Sequence, residues 1–311
     1  MSTYSLIIGC NYTKSKYELQ GCEEDALNIR EFITRRGYSD DWENEIITLT
    51  DKKIEGVNHI VPTFENITTQ IEKMVNWAIE QSDPVDLFFH YSGHGSQILD
   101  KNKDEKDLKD ECLVSKDLKL ITDDYLKEQF SKLPPTARML CLIDACHSGS
   151  SLDLDFSCGN SYEEEEDYDQ CPTIFMLSGC RDIGTSQSIK LNNWTGAMTR
   201  GFLNVMKHIQ KHNIELDMEQ FKDLVQLSVT CVPQNPQLSS TVNNFKSHYI
   251  SCSADSFHIY NDEDTGDYDA PETEDTEDTF INKCLDSVES VISIIWNDFR
   301  NIFKPVKPKE Q

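Results

Sequence analysis

A cysteine and a histidine each follow an apolar run of this sequence and sit in a turn that contains glycine. Residues 85–91 (VDLFFHY) lead into SGHG, which carries His94, and residues 139–143 (MLCLI) lead into DACHSG, which carries Cys146. A thiol attacks an amide carbonyl as a thiolate, or when a neighbouring imidazole takes its proton. We therefore predict that Cys146 is a nucleophile and His94 its general base, with the backbone amides of Gly95 and Cys146 as donors to an oxyanion.

The other cysteines and the neighbouring histidines have a structural interpretation. A lone cysteine is most often a small buried hydrophobe, and this is our interpretation of Cys10, Cys112, Cys141, Cys231 and Cys252. His147 directly follows the nucleophile and His90 falls within a strand, so neither is expected to act as the base. The 11 cysteines form no CxxC pair and no basic leader precedes a long apolar run, which indicates a reducing, cytoplasmic setting.

The elements that must position this pair alternate between strands and helices. The predicted strands are residues 4–9, 46–49, 85–91, 139–143 and 173–177; the predicted helices are 22–36, 67–79, 122–133 and two within 195–230. This order predicts the α/β class, a mostly parallel β-sheet sandwiched by helices on both faces. Active sites lie at the carboxyl ends of the strands in such sheets, so both turns are expected at one edge.

The charge of the chain restricts its partners. Lys plus Arg number 29 against 55 Asp plus Glu, a net charge of −26. Nucleic acid and anionic membrane surfaces are therefore repelled, whereas cations and basic peptides are attracted. No apolar stretch approaches the roughly 20 residues that a transmembrane helix requires.

Two acidic segments divide the chain. Residues 151–172 contain no Lys or Arg and are predicted to be a linker, and residues 261–278 contain ten acidic and no basic residues, which predicts a disordered tail. Apolar residues then recur at helical spacing, so we predict an amphipathic helix over 279–304. This helix either docks on the domain or binds a partner or a membrane.

The two turns resemble the His and Cys boxes of metacaspases, which are relatives of the caspases. The matching motifs are LQGCEEDA (19–26), HYSGHGSQ (90–97), DEKDLKDE (104–111), ITDDYL (121–126), DACHSGS (144–150), SGCRD (178–182) and PQLSS (236–240). The caspase His also lies about 50 residues before its Cys. The resemblance implies a caspase-like fold and a cysteine endopeptidase, in a single-chain form without an N-terminal prodomain. It implies a large-subunit-like catalytic half over 1–150 and a small-subunit-like half over 173–260. It favours a monomer, although a strand near 247–252 offers an edge for dimer pairing.

The resemblance also implies which peptides are cut. Metacaspases take Arg or Lys at the cleaved position in an acidic pocket, and the matching positions here are Asp144, with Ser92 and Cys22 as neutral walls. Asp182 is a further candidate. An Asp beside the nucleophile pairs with a guanidinium or an ammonium and repels an acidic side chain. The structural alternative for Asp144 is a carboxylate that caps a loop.

Ca²⁺ is the cofactor that the resemblance implies. The matching ligand positions are Asp107, Asp123, Asp124 and Asp153, and carboxylate oxygens are the ligands that calcium prefers. Taken singly, each is a surface acid, and Asp123 has the alternative role of a helix cap. A divalent ion relieves the repulsion among four carboxylates, so calcium is expected to order the substrate cleft.

Some positions depart from the family pattern, and two other functions remain open. Leu108 replaces the glycine of the usual acidic loop, which predicts weaker calcium binding, and Gly184 and Ser188 replace a glutamine and an acidic residue. One alternative function is a catalytically inactive caspase-fold scaffold that binds basic partners. The other is an Asp-specific caspase. The intact Cys–His pair argues against the scaffold, and Asp144 argues against the caspase.

Overall fold

Strands and helices alternate through the first half of the chain. The computed structural model describes residues 2–36, 38, 45–54, 59–99, 109–145, 152–158, 171–179, 188–190, 194–229, 235–253 and 256–261. The first half forms β1 (Ser2–Gly9), α1 (Cys22–Thr34), β2 (Glu45–Thr50), α2 (Phe64–Glu80), β3 (Val85–Ser92), β4 (Gly95–Leu99), β5 (Lys109–Val114), β6 (Leu120–Thr122), α3 (Asp123–Phe130) and β7 (Ala137–Asp144).

Within the described residues, the second half adds shorter strands and two helices. They are β8 (Phe156–Ser157), β9 (Thr173–Ser178), β10 (Ser188–Lys190), β11 (Trp194–Gly196), α4 (Ala197–His212), β12 (Leu216–Asp217), α5 (Met218–Ser228), β13 (Gln237–Ser240), β14 (His248–Cys252) and β15 (Phe257–Asn261). The predicted segments 261–278 and 279–304 lie outside the described residues, apart from Asn261, as does most of the predicted linker.

Seven strands form the central sheet, in the order β2-β1-β3-β7-β9-β13-β8. The five strands from β2 to β9 pair in parallel, and β13 and β8 are antiparallel additions. The two halves of the chain therefore contribute to one sheet. The predicted mostly parallel sheet is confirmed.

The alternation of side chains along β3 shows why this sheet needs helices on both faces. Every residue of β3 is buried. Phe88 packs against Phe202 of α4, with ring centroids 6.0 Å apart, and Phe89 packs against Phe130 of α3 at 5.6 Å. Successive side chains of a strand point to opposite faces, so α1, α4 and α5 cover one face and α2 and α3 cover the other. The prediction of two helical layers is confirmed.

Three small antiparallel sheets lie outside the central one: β4-β5-β6, β10-β11 and β12-β14-β15. The prediction of a pairing edge near 247–252 is wrong, because β14 lies between β12 and β15 and both of its sides are paired. Within the described ranges, no helix is long and apolar enough to cross a bilayer.

Candidate active site

The carboxyl ends of β1, β3 and β7 meet at one edge of the central sheet. Ser92, the last residue of β3, lies opposite Gly9 on one side and Asp144 on the other. The Gly93 N–H donates to the Asp144 carbonyl over 3.3 Å, which extends this pairing beyond the strand. His94 stands two residues after Ser92, and Cys146 stands two residues after Asp144. Adjacent, aligned strands therefore lead into both turns; Cys146, His147, Asp182 and Asp107 lie outside the described residues.

Two buried tyrosines hold the backbone at His94. The His94 N–H donates to the Tyr12 hydroxyl at 2.9 Å, and the Tyr91 hydroxyl donates to the His94 carbonyl at 2.7 Å. The two hydroxyls lie 3.0 Å apart. A Cβ on Gly93 would stand 2.6 Å from the Tyr91 hydroxyl oxygen, so only glycine fits at this turn. The peptide that carries the predicted base is thus fixed by buried hydrogen bonds.

The His94 ring is held in one tautomer. Its Nε2 lies 2.8 Å from the Tyr17 carbonyl oxygen. A carbonyl oxygen only accepts hydrogen bonds, so Nε2 carries the proton and Nδ1 is the nitrogen that can accept another in the neutral ring. The ring also packs on Tyr12, with centroids 4.7 Å apart. This arrangement suits a general base that acts through Nδ1.

Gly95 begins β4, opposite Leu113 of β5. The residues before this pair, His94 and Val114, are hydrogen-bonded: the Val114 N–H donates to the His94 carbonyl at 3.1 Å. Hydrogen-bonded and non-hydrogen-bonded pairs alternate along an antiparallel ladder, so the Gly95 N–H points away from β5. An amide in this position is compatible with the predicted oxyanion role.

Two buried carboxylates, those of Asp144 and Asp25, lie beside Gly196. Asp144 Oδ2 accepts the Thr199 N–H at 2.9 Å and the Thr199 hydroxyl at 3.1 Å. Asp25 accepts the Ser92 hydroxyl at 2.7 Å and the Gly196 N–H at 3.0 Å. A Cβ on Gly196 would overlap the Asp144 carboxylate, which explains the glycine. The structural alternative for Asp144 is thus partly realised, because its carboxylate caps the first turn of α4.

Cys22, the third predicted pocket residue, lies beside this group. It is 7% exposed at the start of α1, where the Asn11 side chain accepts its N–H at 3.0 Å. Burial raises the pKa of the Cys22 thiol, and the charges of Asp25 and Asp144 raise it further. The structure therefore brings together three predicted pocket residues, Cys22, Ser92 and Asp144, and keeps the thiol protonated.

Five of the other described cysteines are poor nucleophiles. Burial is the largest cause of a raised pKa at Cys10, Cys112, Cys141, Cys158 and Cys252. Four of the five cysteines interpreted as buried hydrophobes are indeed buried, namely Cys10, Cys112, Cys141 and Cys252; Cys231 lies outside the described residues. His90 is also fully buried within β3, as expected of a structural residue.

Two of the described calcium candidates, Asp123 and Asp124, begin α3, and the third, Asp153, contacts its last turn. Asp123 is 2% exposed, and its carboxylate accepts the Glu111 N–H at 2.7 Å and the Asp124 N–H at 2.8 Å. The alternative role of Asp123 as the helix cap is partly realised: Thr122 is the N-cap of α3 and accepts the Tyr125 N–H, while Asp123 accepts the Asp124 N–H of the first turn. Asp153 pairs with Lys127 of α3. Within the ranges that the structure describes, no group of three or more ligand residues is placed to hold a metal ion.

Sequence reasoning missed four residues that shape this site: Tyr12, Tyr17, Asp25 and Thr199. A signal existed for Asp25, because it follows Cys22 by one helical turn and precedes the buried Ile29 on the same face of α1. The tyrosines and Thr199 act through contacts between residues distant in the chain, which no local pattern reveals.

A family model matches the first half of the chain, and curated relatives match most of its length. Residues 4–155 match the family model described as metacaspase, peptidase C14 domain. Metacaspase-1 of Candida albicans is 30% identical over 301 residues, covering 76% of this chain and 64% of that protein. Metacaspase-1 of Lodderomyces elongisporus is 30% identical over 312 residues, covering 80% and 65%. The chain thus spans just under two thirds of the length of these curated relatives.

A solved structure shares the fold. A protein of Geobacter sulfurreducens matches with a TM-score of 0.54 and 21% identity, over 77% of this chain and 93% of that one. This likeness concerns the fold alone. The matched residues include His94, Cys146 and the predicted pocket residues Cys22, Ser92 and Asp144. On these grounds residues 4–155 of the chain are identified as a metacaspase peptidase C14 domain.

Proposed function

We propose that this chain is a cysteine endopeptidase that cleaves after Arg or Lys, with Cys146 as the nucleophile and His94 as the general base. The observation that carries the proposal is the alignment of β3 and β7, which places Ser92 opposite Asp144 just before the two turns. The turns that carry His94 and Cys146 therefore follow two adjacent strands that end at the same level of the sheet. The match of residues 4–155 to a peptidase domain supports the same reaction.

The chemistry follows from the tautomer of His94. Nδ1 accepts the Cys146 proton, and the resulting imidazolium is stabilised because Nε2–H donates to the Tyr17 carbonyl. The thiolate attacks the peptide carbonyl, and the imidazolium returns its proton to the leaving amine. The Gly95 N–H, which points away from β5, supports the oxyanion together with the Cys146 amide. Water then releases the acyl group from sulfur by the same route.

The pocket charges support cleavage after a basic residue. Asp144 and Asp25 place two buried carboxylates around Gly196, next to the neutral walls of Ser92 and Cys22. A guanidinium or ammonium entering there gains from both charges, whereas an acidic side chain is repelled by both. Asp25 is therefore part of the proposed specificity pocket.

Hydrolysis of fluorogenic peptides ending in Arg, Lys or Asp tests the proposal, with and without calcium. We expect cleavage of the Arg and Lys peptides, no cleavage of the Asp peptide, and loss of all activity in Cys146→Ala. Preference for the Asp peptide would indicate an Asp-specific caspase. Folded protein that cleaves none of them, at any calcium concentration, would indicate the inactive scaffold.

We also propose that calcium binds at the start of α3. The carboxylates of Asp123, Asp124 and Asp153 have the right chemistry, and the pairing of Lys127 with Asp153 brings that acid to the helix. Bound calcium would supply positive charge that lets these loops approach one another. The Lys127 ammonium pairs with the Asp153 carboxylate and competes with calcium for it. Lys127 must therefore move aside when the ion binds.

Lys127→Gln tests this competition. We expect the calcium concentration that gives a half-maximal rise in melting temperature to fall several-fold, because the ammonium no longer opposes the ion. Lys132→Gln is the matched control, since Lys132 pairs with Glu128 on the same helix. An unchanged or higher calcium requirement in Lys127→Gln would contradict the assignment of Asp153.

A further inference from the structure

A basic groove runs between α1 and α4, on the helical layer that covers one face of the sheet. It has a volume of about 280 Å³, and its lining includes Glu31, Phe32, Arg35, Arg36, Arg200 and Lys207. We call it the α1–α4 groove. Four of these residues are cationic and one is acidic, in a chain whose net charge is −26. The groove is thus a local excess of positive charge on an acidic protein.

The cations of the groove differ in their availability. Arg36 is buried and structural, because its guanidinium donates to the Phe32 carbonyl, the Gln210 side chain and the Cys252 sulfur. Arg35 has a side chain that is 70% exposed, and Lys207 is exposed on α4. Arg35 pairs with Glu31, but the five N–H donors of a guanidinium serve more than one carboxylate. The rim of the groove therefore suits an acidic, extended peptide.

This same chain carries such a peptide close by. Residues 262–278 contain ten acidic and no basic residues, and they follow directly on β15. Phe257, at the start of β15, packs on Phe32 of the groove with centroids 5.7 Å apart, opposite Cys252. Four residues of strand separate Phe257 from Asn261, about 13 Å at 3.3 Å per residue. The acidic segment therefore starts within a short span of the groove.

We propose that the acidic segment 262–278 docks in the α1–α4 groove of its own chain. Tethering replaces a bimolecular encounter by an intramolecular one, with an effective concentration in the millimolar range for short linkers. Residues 163–167 are also acidic, but they follow β8 at the far edge of the sheet, beyond β9 and β13. Charge complementarity and the starting point of the tail favour 262–278.

Carbodiimide cross-linking of the full-length chain at low salt tests the docking. The reagent joins a lysine amine to a carboxylate in direct contact, and Lys207 is the lysine of the groove. Mass spectrometry of the digested monomer band should find Lys207 joined to acids of 262–278. The yield should exceed that at Lys73, an exposed lysine of α2 on the opposite helical layer, and 0.5 M salt should suppress it.

Charge reversal at the rim provides the control. Arg35→Glu should lower the Lys207 yield about two- to fivefold, as expected for loss of an exposed ion pair, while Lys73→Glu leaves it unchanged. Arg35→Gln removes the positive charge without reversing it, so it should lower the Lys207 yield by a smaller factor. It is the variant to use if Arg35→Glu disturbs α1. Equal cross-link yields at Lys207 and Lys73 would overturn the proposal, and so would a Lys207 yield that is unchanged in Arg35→Glu. So would links found only in a dimer band, or links from Lys207 to residues 163–167.

Discussion

Asp144 has two roles at the scale of the single residue. Its carboxylate caps α4 through Thr199, and in the proposed pocket it supplies the charge that selects Arg or Lys. The family motif led to this residue, whereas its capping partner lies 55 positions away in the chain. The sequence therefore named Asp144 as a candidate for the pocket, but the way its carboxylate is held was not predictable.

Asp144→Asn separates the two roles. Asparagine caps helices as well as aspartate does, so we expect the melting temperature to change little. The kcat/KM for an Arg peptide should fall about 10²- to 10³-fold, since removing one charge of a buried pair costs about 2–5 kcal/mol. Asp83→Asn, at an exposed acid, is the control. An unchanged preference for Arg over an uncharged residue would remove Asp144 from the pocket.

Thr199 is a positioning residue for Asp144. Its hydroxyl donates to Oδ2, and the buried His90 Nε2 lies 3.4 Å behind it. We expect Thr199→Val to raise the KM for an Arg peptide about tenfold with little change in kcat, because one hydrogen bond to a charged group is lost. Thr199→Ser should restore the KM. A fall in kcat alone, with the KM unchanged, would contradict the positioning role.

At the scale of secondary-structure elements, apolar runs were sufficient to predict the five parallel strands of the central sheet, and apolar residues at helical spacing predicted the helices. Residues 85–91 and 139–143 became the cores of β3 and β7 because strands of a parallel sheet are apolar on both faces. The β4-β5-β6 sheet was missed, since its strands carry polar residues and part of the connection was assigned to the acidic motif. The antiparallel pairing of β13 depends on contacts with β9 and β8 that sequence pattern does not encode.

Helix α4 makes the fold sensitive to acid. His208 is buried, its two ring nitrogens have no hydrogen-bond partner among the described residues, and burial lowers its pKa from 6.5 to about 4. A lowered pKa favours the neutral ring in the folded state. As the pH falls below 6.5, the unfolded chain takes up the proton first, so stability decreases until the pH passes about 4.

His208→Leu should therefore weaken the dependence of the unfolding free energy on pH. We expect the parent chain to lose about 1–2 kcal/mol of unfolding free energy between pH 7 and pH 5 through this residue, and the variant to lose correspondingly less in urea titrations. His212→Leu, at the exposed neighbour on α4, is the control. A variant with the same acid slope as the parent would show that another group is responsible.

At the scale of the whole molecule, the two halves share one sheet, because β9 and β13 of the second half extend β7 of the first. The segment between them, residues 151–172, contains no Lys or Arg. An enzyme that requires a basic residue before the cut has no site there. The proposed specificity and the sequence of the linker together predict activity as an intact chain.

Incubation in millimolar calcium, followed by sequencing of the fragments, tests this prediction. We expect no new N-terminus within 152–173, and we expect any self-cleavage to follow basic residues elsewhere, such as Lys246 or Lys283. The Cys146→Ala chain should remain uncut under the same conditions. A fragment that begins within 152–173 would refute activity as an intact chain.

Covalent labelling tests the central claim, the partnership of Cys146 and His94, most directly. An Arg-ended chloromethyl ketone is incubated with the chain in calcium, and the modified peptide is located by mass spectrometry. We predict one adduct, on the Cys146 sulfur, with labelling slowed at least 100-fold in His94→Ala and absent with an Asp-ended reagent. Labelling of a different cysteine, or an equal rate in His94→Ala, would contradict the account.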